Sequence, residues 1–116
     1  MLYFHMTRGT DTKAVILSTG LEMASQLGLE CVTIGNLAKE THLSKSGLFA
    51  HFQSKENLQM EILKYAGEDF RLEVIIPALK TRSGIPRIKK LIDLWIKYGS
   101  KIKGGCIFVS AGTEYS

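Results

Sequence analysis

Cysteine is scarce in this chain. Cys31 and Cys106 are its two thiols, too few for a disulfide framework and in keeping with a reducing compartment. Together with His5, His42 and His51 they form no CxxC, HxxxH or HExxH set, so neither a structural zinc nor a zinc-hydrolase site is expected. No P-loop, GxGxxG or GxSxG is present either, which removes the common phosphate-cradling and serine-nucleophile motifs. Gly104-Gly105-Cys106 has no sequence-adjacent base that would activate the thiol. The chain is therefore not expected to be an enzyme, and no cofactor is expected. The longest apolar-leaning runs, residues 14–21 and 104–113, fall short of the roughly 18 needed to cross a bilayer, so no membrane partner is expected. Residues 1–6 lack the basic flank, apolar centre and cleavage site of a secretory signal and read as a tail, which makes a cytoplasmic location the expectation. Alternating strand patterns, internal repeats and low-complexity tracts are missing as well.

What is present suits one small helical unit. The 116 residues are 45% apolar and 22% charged, enough to build a core and too apolar for wholesale disorder. Ile16, Leu17, Gly20, Met23, Ala24 and Leu27 follow helical spacing, with Thr10 or Asp11 as caps and Gly28 as the stop. Two short helical patterns follow, 33–40 with Ile34, Leu37 and Ala38 inward and 44–52 with Leu48 and Phe52 inward. Thr33 and Ser44 stand at their starts, where a hydroxyl can accept from an orphan backbone N–H. A longer helix is predicted over 54–76, ended or bent by Pro77, then one over 85–102 carrying Ile88, Leu91, Trp95, Tyr98 and Ile102 inward, and another from 106 onward.

The net charge of +4 is unevenly placed. Residues 1–60 carry five basic and five acidic side chains, whereas 61–116 carry ten and six. Between 80 and 103, Lys80, Arg82, Arg87, Lys89, Lys90, Lys97, Lys101 and Lys103 face only Asp93. This stretch reads either as the solvated side of a surface helix or as a binding face for an acidic protein or membrane surface.

Two short capped helices joined by about four residues and braced by a longer helix in front form a helix-turn-helix arrangement. The second helix of such a pair is thin enough to enter a major groove, and its N-terminal end offers free N–H groups and a positive dipole end. Here that end reads Ser44-Lys45-Ser46-Gly47, small and rich in hydrogen-bonding groups. From Ile16-Leu17 to Gly28, through Val32-Thr33-Ile34-Gly35-Asn36-Leu37-Ala38, and on from Leu43 to Leu58 (LSKSGLFAHFQSKENL), the chain resembles the DNA-binding domain of the tetracycline-repressor (TetR) family of bacterial transcriptional regulators. The likeness runs without a gap for about 43 residues.

The resemblance implies an all-α fold: a homeodomain-like three-helix bundle with the helix-turn-helix over 7–54, then the first helices of a ligand-binding and dimerisation domain over 55–116. Family members usually continue well beyond this length, so the resemblance also implies a truncated regulatory part. It implies a homodimer on a palindromic double-stranded DNA operator, a repressor released by a small apolar or aromatic effector, and a nucleoid-associated cytoplasmic protein. By position it assigns DNA contact to Thr33, Ser44, Lys45, Ser46, Gly47, Phe49, His51 and Lys55. Phe49 stands where the family commonly has tyrosine, so a phosphate hydrogen bond is lost there while apolar contact to a thymine methyl, or plain packing, stays open. His51 lies off the Leu48/Phe52 stripe and is expected to be exposed. Lys55 is a cation in the first turn of a helix, unfavourable for the dipole, and this points to a phosphate partner. His42, in the turn, is left as structural or exposed. Tyr65, Phe70, Trp95, Tyr98 and Phe108 are candidates to line an effector pocket, though aromatics at helical spacing also serve as core.

Overall fold

A computed structural model describes residues 8–102 and 104–115, with side chains from Thr12 onward. The expected tail at 1–6, the capping side chains of Thr10 and Asp11, and Lys103 of the basic stretch lie outside the described residues and side chains. All regular structure among the described residues is helical. The elements are α1 (Arg8–Leu27), a single 3-10 turn (Leu29–Cys31), α2 (Ile34–Thr41), α3 (Lys45–Phe52), α4 (Lys55–Phe70), a π-helical turn (Arg71–Ile75), α5 (Ile76–Leu79), α6 (Ile85–Lys101) and α7 (Ile107–Glu114).

The core is built by periodicity. From α1 come Ile16, Leu17, Leu21, Met23 and Ala24, from α2 Leu37 and Ala38, from α3 Leu48 and Phe52, and from α4 Leu58, Ile62 and Ala66. Ile107 of α7 joins the same cluster, fully buried, so the core runs on past position 54 into the later helices. Leu27, expected inward, is 64% exposed. It is the last residue of α1. The N–H of Gly28 bonds to the Ala24 carbonyl at 2.9 Å, the chain turns away, and Leu29 takes the buried place instead.

Capping explains the starts of the short helices. Thr33, Ser44 and Ser54 are extended residues whose hydroxyl oxygens accept from the N–H of Asn36, Gly47 and Asn57 at 3.0, 3.0 and 3.1 Å. Helix 54–76 is divided in the structure: α4 gives way after Phe70 to a π-helical turn, in which the Ile76 N–H reaches back to the Arg71 carbonyl. The π turn lets the chain pass Pro77, which stands in the first turn of α5 where its missing N–H costs nothing, and the helix ends only at Leu79. The Arg87 guanidinium then bonds the Leu79 and Thr81 carbonyls at 3.0 to 3.2 Å, closing the turn into α6.

Only part of the expected α6 face is inward. Tyr98 is buried and Leu91 and Ile102 are half-buried, but Ile88 and Trp95 are exposed at 58% and 45%. Most of the contacts of α6 are with the π turn and α5, and Tyr98 adds contacts to Asp69 and Phe70 of α4, so its packed side is short. The loop into α7 lies hard against α1. Gly104 has φ +91°, and a Cβ there would fall 2.1 Å from the Ser25 carbonyl oxygen, so glycine is required by both backbone and space.

The α1–α4 crossing is equally tight. A Cβ at Gly20 would meet the Ile62 Cδ1 at 2.6 Å, and Ile62 is fully buried with nowhere to retreat. Gly20→Val is expected to lower unfolding stability by about 1 to 3 kcal/mol through overpacking, read from urea titration followed by circular dichroism. An unchanged midpoint would refute this close approach.

Candidate nucleic-acid interface

The turn between α2 and α3 is made by three residues. Thr41 ends α2 with its hydroxyl donating to the Leu37 carbonyl at 2.8 Å. His42 follows in the left-handed region at φ +59°, closing the helix, and it is exposed. Leu43 leads to Ser44, the cap of α3. This geometry sends α3 out from α2 with Leu48 and Phe52 plugged into the core. The opposite side of α3 is left in solvent: Lys45, Ser46, Gly47, Phe49, Ala50 and His51 are all exposed.

The α3 tip is held firmly. Ser44 accepts from the Gly47 N–H, and the Ser44 and Ser46 hydroxyls lie 3.4 Å apart. Lys45 lies back across the start of α2. From the point where a Gly35 side chain would begin, the Lys45 ammonium nitrogen is 3.9 Å away and the Thr33 hydroxyl oxygen 4.0 Å. Thr33, the first turn of α2 and Lys45 thus share one patch. Thr33 accepts from Asn36 and still has its own proton to donate. A hydroxyl, an ammonium and a positive helix end at one place are the chemistry that holds a phosphate.

Phe49 is 57% exposed, so of the readings open for it, packing inside the bundle is not the one found. Its ring stands in solvent next to the tip. His51 is exposed, its ring 5.9 Å from that of Phe52. Lys55 has a protein partner: its ammonium donates to Glu30 Oε1 at 2.7 Å. This pairing raises the Lys55 pKa and holds the Glu30 carboxyl below the usual carboxylate range, chiefly through the shared hydrogen bond. The unfavourable helix-end position of Lys55 is therefore answered inside the molecule by Glu30, a residue that carries no motif signal of its own.

Residues 16–62 match the family described as bacterial regulatory proteins, tetR family. Over that stretch, which is less than half of the chain, the helix-turn-helix is similar to the family. The chain is also 26% identical over 88 residues to an uncharacterized HTH-type transcriptional regulator, YuxN, of Bacillus subtilis strain 168. That alignment takes in 76% of this chain and 30% of the relative, so the chain spans under a third of the length of the regulator it matches. The TetR-family match ends at position 62, within α4, and the later helices lie beyond it.

In those later helices the five candidate aromatics are only partly gathered. Phe70 meets Tyr98 and Phe108 edge to face at 5.3 and 5.6 Å. Tyr65 packs against the bundle core, and Trp95 is exposed. Tyr98 also donates its hydroxyl to the buried Asp69 carboxylate at 3.2 Å. Of the eight basic residues of the 80–103 stretch, Arg87 is spent on backbone carbonyls and Lys101 on Glu73. Among the described residues no helix is long and apolar enough to cross a membrane.

The interface residues that the sequence pattern does not flag are those that bond across elements. Gln59 of α4 donates to the Leu29 and Val32 carbonyls at 2.9 and 3.3 Å, and Asn36 donates to the Cys31 carbonyl at 2.8 Å. Both brace the strandless link that aims α2.

Burial, and after it the Asp69 charge, pushes the Tyr65 hydroxyl up to about 12 and that of Tyr98 higher still. A folded-state pKa above the unfolded value of about 10 gives stability that is complete below pH 10 and lost as pH rises through the folded values. Thermal unfolding is expected to hold steady up to about pH 9 and fall above about pH 10. Tyr98→Phe is expected to cost about 1 to 2 kcal/mol at neutral pH by depriving a buried carboxylate of a donor, and to flatten the alkaline fall. An alkaline profile identical to that of the unaltered chain would refute the role of Tyr98.

Proposed function

We propose that this chain is the reading head and first regulatory helices of a repressor that binds a palindromic operator as a homodimer and leaves it when a small apolar or aromatic effector binds. The observation that carries the reading is the exposed, capped tip of α3, with Lys45 set beside Thr33 at the start of α2. In this reading Thr33, Ser44, His51 and Lys55 hold phosphates, and Lys45, Ser46 and Gly47 approach base edges or backbone. Phe49 touches a thymine methyl or a sugar. Residues 7–54 form the reading head and 55–116 the start of the responding part. The setting is a bacterial cytoplasm, at the nucleoid.

The need for a dimer follows from charge. Residues 1–60 are net neutral, so a single head has little general attraction for a polyanion, and two heads on two half-sites supply the affinity. The response works as a lever. α4 begins with Lys55 near the reading head and reaches Phe70 in the aromatic group with Tyr98 and Phe108. An effector that seats between α4, α6 and later helices shifts the far end of α4, and its differential affinity for the two arrangements sets how far the population moves.

A second reading draws on α6, where Ile85, Ile88, Ile92 and Ile96 are exposed beside Lys89, Lys90 and Lys97. An apolar ridge flanked by lysines fits an acidic protein or membrane surface. Gel shift separates the readings, since preference for one duplex over competitor DNA belongs only to the regulator.

Selection of bound duplexes from a random pool by the full-length regulator is expected to return a palindrome, and a compound screen to find molecules that release it. A palindrome that no compound releases would sink the effector, and no recovered site would sink both. Lys45→Ala is expected to cost about 1 to 3 kcal/mol and relax one base pair if the lysine reads a guanine. Lys55→Ala is expected to weaken all duplexes alike and lower the salt slope by roughly 1. Wild-type affinity in both variants would remove these contacts.

A further inference from the structure

We propose that Glu30 is a positioning residue for DNA binding: it holds the Lys55 ammonium on the protein and must give it up, wholly or in part, when a phosphate takes its place. The inference rests on the reading of Lys55 as a phosphate contact and adds to it an intramolecular competitor. Lys55 donates to Glu30 Oε1 at 2.7 Å, and the pair is open to solvent, with side-chain exposures of 40% and 53%. It borders a shallow hollow of about 330 Å³ between α4 and α7, lined also by Gln59, Met60, Ala111 and Tyr115.

Glu30 is not a drifting surface carboxylate. Its other oxygen, Oε2, accepts from the Tyr115 hydroxyl at 3.1 Å. Its backbone N–H donates to Glu114 Oε2 at 2.9 Å, and the neighbouring Leu29 N–H donates to Glu114 Oε1, also at 2.9 Å. One carboxylate at the end of α7 therefore caps the 3-10 turn that carries Glu30, and one hydroxyl from the next residue steadies the Glu30 side chain. The competitor is pre-set by an element far along the chain from the reading head. Ile107 at the other end of α7 is fully buried in the shared core, which seats α7 in that position.

Charge makes the competition. A phosphate oxygen reaching Lys55 meets the Glu30 carboxylate a hydrogen bond away, so the incoming anion loses part of the cation's attraction and feels a like charge. Glu30→Gln keeps the shape and one acceptor oxygen while deleting the charge. An exposed pair of this kind is worth a factor of about two to five, and removing the like charge adds to it, so a gain of about three- to ten-fold in affinity is expected. The gain should be the same on every sequence, because it acts at the backbone.

The test titrates the 116-residue chain to about millimolar concentration, since a single head binds weakly, against a fluorescent mixed-sequence duplex followed by anisotropy at low salt, with circular dichroism melts of each variant. Glu30→Gln is expected to bind more tightly than the unaltered chain, Lys55→Ala less tightly, and the double variant no better than Lys55→Ala alone. Glu30→Ala gives the same comparison should Glu30→Gln not fold. A residue that merely stabilised the fold would lower the melting temperature without raising affinity. Unchanged or weaker binding by a folded Glu30 variant would overturn the proposal. A gain of equal size in the Lys55→Ala background would overturn it too, by showing that the charge does not act through Lys55. A folded, unaltered chain that binds no duplex under any salt condition would instead overturn the DNA-binding reading of Lys55, and this inference with it.

Discussion

The crossing of α1 with α4 at Gly20 and Ile62 is the constraint on which the rest of the molecule depends. The two short helices of the helix-turn-helix offer Leu37, Ala38, Leu48 and Phe52 to a core, with Ile34 half-buried against it, too little apolar surface to hold their own orientation. Their positions are fixed because α1 and α4 approach closely enough to form a single wall behind them. A bare Cα at position 20 permits that approach, and Ile62 fills the space it leaves. The wall frees α3 to put every polar and aromatic group of its outer side into solvent. Exposure of Lys45, Ser46 and Phe49 is thus a consequence of packing on the other side of the bundle.

The same wall ties the helix-turn-helix to the later helices. α7 is seated on α1 by Ile107 in the core and by the loop glycine at 104, whose contact with the Ser25 carbonyl leaves no room for a side chain. Its last turn then reaches the 3-10 turn between α1 and α2 with the Glu114 carboxylate and the Tyr115 hydroxyl. That turn has few apolar contacts of its own beyond Leu29, so its geometry is set by hydrogen bonds from α4, through Gln59, and from α7. Hydrogen bonds of this exposed or half-buried kind are individually modest. A link held in this way can respond to movement in the helices that supply the bonds, whereas the Gly20–Ile62 crossing cannot.

The chain's own pattern determined the class of fold, the order of its helices and the helix-turn-helix. Ile16, Leu17, Met23, Ala24, Leu37, Leu48 and Phe52 announce their burial by spacing alone, and Thr33, Ser44 and Ser54 mark helix starts because a capping hydroxyl acts over three residues. These are local rules, and a sequence states local rules directly. Exposure of His51 followed from the same helical phase. Tertiary structure decided the rest, because it turned on partners distant in the chain. Leu27 keeps the helical spacing but loses its place to Leu29, since where α1 leaves the core depends on what α2 and α4 leave unfilled. A π turn before Pro77 lets the helix run on to Leu79, three residues beyond the expected stop, and Ile88 and Trp95 stay exposed because α6 meets its neighbours over a short length. Lys55 looked like a cation short of a partner until the fold brought Glu30 to it across 25 positions, and Glu114 reached Leu29 across 85. Periodicity records which face of an element is apolar; only the assembled chain decides which distant charge that face's edge will meet.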